Sequence, residues 1–321
     1  MSSWSIVQSN LTSVTVLVFI LGFIGSRLKS NLLLPDQVYQ FVSFYLLFGI
    51  GLKGGVELRG SEIESIAKPM LATVLLGTLI PVLAFIFLRF TTSINELNRG
   101  SIASHYGSTS LVTFSATLTF LDNSVIKYEG FAATLLTMME IPGIVVGIYL
   151  GSRHLKRGVP WSESLKEIVL GKTIILLTGG LLVGLISGAP GYDKVTPFFV
   201  ALLPGFLSLF LLHLGYLAGS HISQLKEAGW TYICFAITFP ILAGTMGVLA
   251  GHGSGLSIGG ATVLGVLCAS ASYIAAPAAV GIALPDASKS LPIMASLGVT
   301  FPFNLILGIP YFYWLAMQLG S

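Results

Sequence analysis

Two clusters of small polar residues interrupt otherwise apolar stretches. Gly107, Ser108, Thr109 and Ser110 lie in "HYGSTSLVTF", and Ser270, Ala271 and Ser272 lie in "CASASYIAAPAA", with Pro277 close behind. A helix interrupted at such a place presents amide N–H groups at its restarting end, and these favour an anion through hydrogen bonds and the helix dipole. Small hydroxyls allow close approach and add donors and acceptors. One such cluster alone more often marks tight helix packing. Two clusters at corresponding places favour a paired anion site.

Glu140, in "LLTMMEIPGIVV", is the one acid deep inside an apolar run. An ionisable group there is costly and points to a role. Pro142 leaves a backbone carbonyl without its helical donor, so carboxylate, carbonyl and hydroxyl oxygens are available for a hard cation such as sodium. Ser108, Thr300 and Asn304 are the further candidate ligands, Asn304 because it closely follows Pro302. The alternative is a protonated Glu140, either structural or proton-carrying. His105 and His213 suit proton relays, but a lone histidine bonded to a neighbouring helix is the commoner state. Lys53, Glu57 and Arg59 sit where an apolar run reaches the surface, and read as snorkelling or paired side chains.

An intramembrane enzyme fits poorly. Hydrolysis calls for facing carboxylates, an H-E-x-x-H zinc pair or a serine with a positioned base, and none is present. A channel is a further alternative, although proline-broken, occluding segments favour a carrier.

These residues need a scaffold, and composition names its solvent. The chain has 321 residues, 54% hydrophobic and 9% charged, against about 25% charged in soluble domains. Such a surface belongs in lipid. Continuous apolar runs such as "TVLLGTLIPVLAFIFL" indicate helices rather than a barrel. They predict ten transmembrane helices near 11–28, 37–53, 65–88, 101–121, 130–150, 168–187, 196–219, 229–250, 257–283 and 291–318, the fourth and ninth broken. "MSSWSIVQSN" lacks the basic residues of a signal peptide, so the first run reads as a retained span. Cys234 and Cys268 lie in apolar runs and read as buried structural thiols.

The segment 151–172 carries Arg153, Lys156, Arg157, Lys166 and Lys172, which places it in the cytoplasm. Alternation then puts Arg27, Lys29, Arg89, Arg99, Lys226 and Lys289 on the same side. Arg59, Lys68, Lys127 and Lys194 fall opposite, so both termini lie outside the cytoplasm. Within the basic segment, "WSESLKEI" (161–168) reads as an interfacial helix with Ser162 as N-cap, or as a solvated connector.

The spans divide five and five, as repeats 1–160 and 161–321. "GLKGGVEL" (51–58) aligns with "GYLAGSHI" (215–222), "YGSTSLVTFSATLTFL" (106–121) with "ASASYIAAPAAVGIAL" (269–284), and "EIPG" (140–143) with "TFPF" (300–303). An odd number of spans per repeat inverts the second copy, the plan of many secondary transporters, with a midplane site where broken helices meet.

The order of "GLKGG", "GSTS", "YEGFAATLLTMMEIP", "ASASYIAAPA" and "ASLGVTFP" resembles the SbtA-type sodium-dependent bicarbonate transporters of cyanobacteria and their bacterial relatives. The likeness runs along nearly the whole chain. It is most specific at Gly107-Ser108-Thr109, Tyr128-Glu129, Ile141-Pro142 and Ser270 through Pro277.

The resemblance implies an all-α homotrimer in the bacterial inner membrane. Each chain would have a gate domain (1–60 plus 161–225) and a core domain (61–160 plus 226–321). It implies sodium-coupled bicarbonate symport by elevator-type displacement of the core, with Na+ as the co-transported ion and no organic cofactor. The anion would lie at residues 107–110 and 270–272, with Glu140, Ser108, Thr300 and Asn304 around the cation. Alternative readings keep the fold and carry another small anion or carboxylate, or couple to protons.

The chain departs from the cyanobacterial pattern at Ala271, Ser272 and Tyr273, where that pattern has serines followed by aspartate, and at Glu140, where it has aspartate. A PII-like regulatory partner belongs to the same family picture, and the short central loop argues against it here.

Overall fold

The computed structural model describes residues 8–30, 32–153, 155, 158–227 and 229–320, with the side chains of 221–227 left aside. Among these residues the chain is helical throughout, without strands. Lys156 and Arg157, and the side chain of Lys226, which enter the charge asymmetry, lie outside the described parts.

The helices are α1 (Val14–Arg27), α2 (Asp36–Arg59), α3 (Ile63–Thr91), α4 (Glu96–Gly107), α5 (Leu111–Asn123) and α6 (Ala132–Ser152). Next come α7 (Trp161–Leu170), α8 (Lys172–Tyr192), α9 (Thr196–Phe199), α10 (Leu203–Glu227), α11 (Trp230–Gly253), α12 (Ile258–Ala269) and α13 (Ala276–Ala283). The last, α14 (Ser290–Leu319), includes two π-helical turns, Ser296–Thr300 and Asn304–Gly308. Among the described residues seven stretches are long and apolar enough to cross a membrane: α2, α3, α6, α8, the α9–α10 run Thr196–Ser220, α11 and α14. The shorter α1 and α12 are also apolar. The chain is therefore a multi-pass, all-α membrane protein.

Lipid supplies no hydrophobic drive between helices, so packing depends on close backbone approach. α1 runs along α10 and α2 along α8. In each pair small residues bring backbones together: Gly22 lies against the Leu212 carbonyl and Gly215 against that of Phe19. Likewise Gly51 lies against the Leu177 carbonyl, and Gly180 is 2.7 Å, measured from the place of a Cβ, from that of Phe48. The second group is a bundle in which α3, α4 and α6 pack mutually, as do α11, α12 and α14. Tyr106 joins its halves, its ring edge-on to that of Phe235 with the centroids 4.9 Å apart.

Two local expectations change. Ser162 is not an N-cap: α7 starts one residue earlier, with Pro160 at the cap position and no side-chain cap. The amphipathic turn of α7 instead buries Ser164 and Ile168. Cys268 is buried, but Cys234 is exposed, because an apolar run in lipid turns one face outward. Lys53 and Glu57 do pair, at 3.9 Å, whereas Arg59 donates to the carbonyls of Leu185 and Ile186 on α8.

Candidate functional site

α4 and α12 are the same length and end the same way. Each is opened by a side-chain N-cap, Asn95 bonding Asn98 N–H and Ser257 bonding Gly260 N–H. Each ends on a serine in extended backbone, Ser108 (φ −96°, ψ 171°) and Ser270 (φ −85°, ψ 168°). Past these serines the chain crosses in non-helical form, over 108–110 in one case and 270–275 in the other, before α5 and α13 begin.

The first crossing is fixed by backbone contact. A Cβ on Gly107 would lie 2.8 Å from Gly143 Cα on α6 and 2.8 Å from Pro81 Cβ on α3. That approach sets the crossing directly over Glu140, one turn before Gly143. Ser108 Oγ donates to Glu140 Oε2 at 2.6 Å and Thr109 Oγ1 to Oε1 at 3.2 Å. Glu140 is 1% exposed, so these hydroxyls replace the water it gives up.

The two crossings are tied together. Ser110 N–H donates to Ser270 Oγ at 3.0 Å, and Ser272 N–H to the His105 carbonyl at 2.8 Å. Ser110 Oγ accepts from Thr113 N–H and Ser272 Oγ from the amides of Ala275 and Ala276. Several amides at the restarting ends are thus already occupied in this arrangement. Ser110 Oγ also donates to the Tyr273 hydroxyl at 3.3 Å. A small pocket lies here, walled by Thr109, Ser110, Glu140, Ser272 and Tyr273, with Leu47 of α2 and Thr173 of α8 opposite. Gly107, Ser108, Ser270 and Ala271 are buried nearby but do not line it.

Thr300 and Asn304 belong to the π-helical turns flanking Pro302, and π-bulges are frequent at functional sites. Thr300 Oγ1 donates to the Ala236 carbonyl at 2.7 Å and therefore accepts from Tyr106 Oη at 2.6 Å. Asn304 is fully buried. Its Nδ2 donates to the Ala269 carbonyl at 2.8 Å, while its Oδ1 has no partner among the described residues. So Ser108 and Glu140 form one bonded group, and Thr300 and Asn304 hold the ends of α4 and α12 from the other side.

His213 Nδ1 accepts from Leu34 N–H, the satisfied state expected of a lone histidine. His105 Nδ1 donates to the Ser101 carbonyl at 2.8 Å, and its Nε2 is buried without a partner among the described residues. The sequence did not single out Leu47, Thr173 or Tyr106. Tyr106 carried the one available signal, an aromatic hydroxyl immediately before the glycine that ends α4.

Two interrupted helices thus converge on a buried carboxyl inside a helical membrane protein. Residues 14–317 match the Na+-dependent bicarbonate transporter superfamily, and the chain belongs to that superfamily. As a member of a transporter superfamily it is not an enzyme. No curated protein matches the chain.

Proposed function

We propose that the chain is a sodium-coupled bicarbonate symporter working by elevator-type alternating access. The observation that carries this reading, beside the family, is the bonded group Ser108–Thr109–Glu140 at the meeting of two interrupted helices. Residues 107–110 and 270–272 hold the anion by hydroxyl and backbone groups. Sodium sits against Glu140 and Ser108, while Thr300 and Asn304 bond to the Ala236 and Ala269 carbonyls and support the ends of α4 and α12 rather than joining Glu140. A carboxylate in this setting is expensive without a counter-charge. Bound sodium supplies that charge, and makes the loaded, closed core less costly to move than a half-loaded one.

Ten spans in two inverted repeats of five underlie the mechanism. The matched lengths and caps of α4 and α12 support this, and so do the helix pairs. The relation that carries Gly51 to Gly215 carries Leu177 to Phe19, so the α2–α8 contact maps onto α10–α1. α1, α2, α8 and α10 then make the gate domain (1–60 plus 161–225), and the bundle around the crossings makes the core (61–160 plus 226–321). The basic residues put both termini outside the cytoplasm of a bacterial inner membrane. A homotrimer is the assembly expected from the family resemblance, and the short central loop disfavours a PII-like regulator.

Labelled bicarbonate uptake into proteoliposomes, with and without an inward sodium gradient, tests the reading. Sodium-stimulated uptake is expected. Uptake driven equally by a proton gradient alone overturns sodium coupling, and uptake of other anions in preference to bicarbonate overturns the cargo.

A further inference from the structure

The two crossings are unequal: three residues separate α4 from α5, and six separate α12 from α13. If Ser110 is matched to Ser272, the second crossing carries Tyr273, Ile274 and Ala275 as extra residues before its helix restarts. All three line the pocket at Glu140. The pocket admits about one water molecule, less than a planar oxyanion requires, so a wall has to yield when an anion enters.

Most walls are firmly held. The crossings are linked through Ser110 N–H to Ser270 Oγ and Ser272 N–H to the His105 carbonyl, and both oxygens of Glu140 are bonded to hydroxyls. Tyr273 is held less tightly. Its ring stands edge-on to Phe301 at 5.9 Å, and its hydroxyl accepts one long bond, 3.3 Å, from Ser110 Oγ. Because that hydroxyl is the acceptor there, its own proton is available to an anion. Rotation of one aromatic side chain about two torsions changes the space without disturbing backbone.

We infer that Tyr273 sets the upper size limit of the anion pocket and donates its phenolic proton to the bound anion. The inference rests on the reading of the crossings as the anion site. It goes further in assigning size selection to one side chain contributed by the longer crossing. Removing the ring opens the pocket toward larger carboxylates, whereas removing only the hydroxyl weakens binding and leaves the limit in place.

The test uses the full-length protein in nanodiscs, as wild type, Tyr273→Phe and Tyr273→Ala, with bicarbonate, formate, acetate and propionate as probes. Binding is read by calorimetry in sodium, and folding by helical circular dichroism and melting temperature. Wild type is expected to bind bicarbonate and formate and to reject propionate. Tyr273→Phe should reject propionate and bind bicarbonate about tenfold more weakly, the loss of one hydrogen bond to a charged group. Tyr273→Ala should gain propionate binding.

If Tyr273→Ala is folded yet rejects propionate, or if both variants bind bicarbonate as wild type does, the inference falls while the transport reading stands. If wild type binds formate but not bicarbonate, the cargo reading falls, and the formate-to-propionate ratio still decides on Tyr273. If no probe binds to any variant, both fall.

Discussion

Ser108 Oγ and Glu140 Oε2 are 2.6 Å apart, one on the crossing after α4 and the other inside α6. The bond couples a break in one helix to an acid buried in another, so any change in charge at Glu140 acts on the crossing itself. Glu140→Gln keeps the shape but removes the charge, and one of the two hydroxyls turns to accept from the new amide. Sodium stimulation of uptake is expected to disappear, or its half-saturating concentration to rise at least about tenfold. Sodium-titrated uptake checks this. A purely structural Glu140 would leave the titration in place.

Gly107 and Gly143 touch backbone to backbone. A methyl group at 107 meets Gly143 Cα and Pro81 Cβ, neither of which is the tip of a flexible side chain. Gly107→Ala should destabilise the protein by about 1–3 kcal/mol through overpacking and displace the crossing from Glu140. Thermal unfolding in detergent measures the first effect, and sodium affinity the second.

Glu129, before α6, reaches the start of α12. Its Oε1 accepts from Ser257 N–H at 2.6 Å and its Oε2 from Ser257 Oγ at 3.1 Å. It acts as a second cap, and its charge suits the helix N-terminus. Glu129→Gln should lower stability by about 1 kcal/mol with anion affinity unchanged in the folded fraction. Melting curves and bicarbonate titration separate the two.

Gly54 on α2 faces Ala133 on α6, where a Cβ on the glycine would stand 2.6 Å from that of the alanine. If gate and core slide past one another, a link there stops transport. The double variant Gly54→Cys with Ala133→Cys, in a Cys234→Ser background, should form a disulfide after slight relaxation. Uptake should be lost on oxidation and recovered on reduction. Full activity of the oxidised protein would argue against relative motion at this contact.

The apolar runs and both interruptions are legible in the sequence because hydropathy responds to lipid, and because hydroxyls and glycine stand out against it. Glu140 is legible for the same reason. The partners of these residues are less so. That Ser108 bonds Glu140 follows from the Gly107–Gly143 approach, which no local pattern encodes. Tyr273 reads in sequence as a departure from a family pattern and becomes a pocket wall only when the longer crossing folds back toward Ser110. Cys234 and Ser162 mislead for a simple reason: an apolar run does not say which of its faces meets lipid, and a serine one residue inside a helix looks like a serine at its start.

The three surplus residues of the second crossing bear on energetics as well as on shape. A carrier made of two identical inverted halves would rest with equal populations facing either compartment, because its two end states would be related by symmetry. On the proposed inverted-repeat reading, the halves differ at the crossings themselves. A carrier so built loses that degeneracy, and its empty form has a preferred resting orientation even with no gradient across the bilayer.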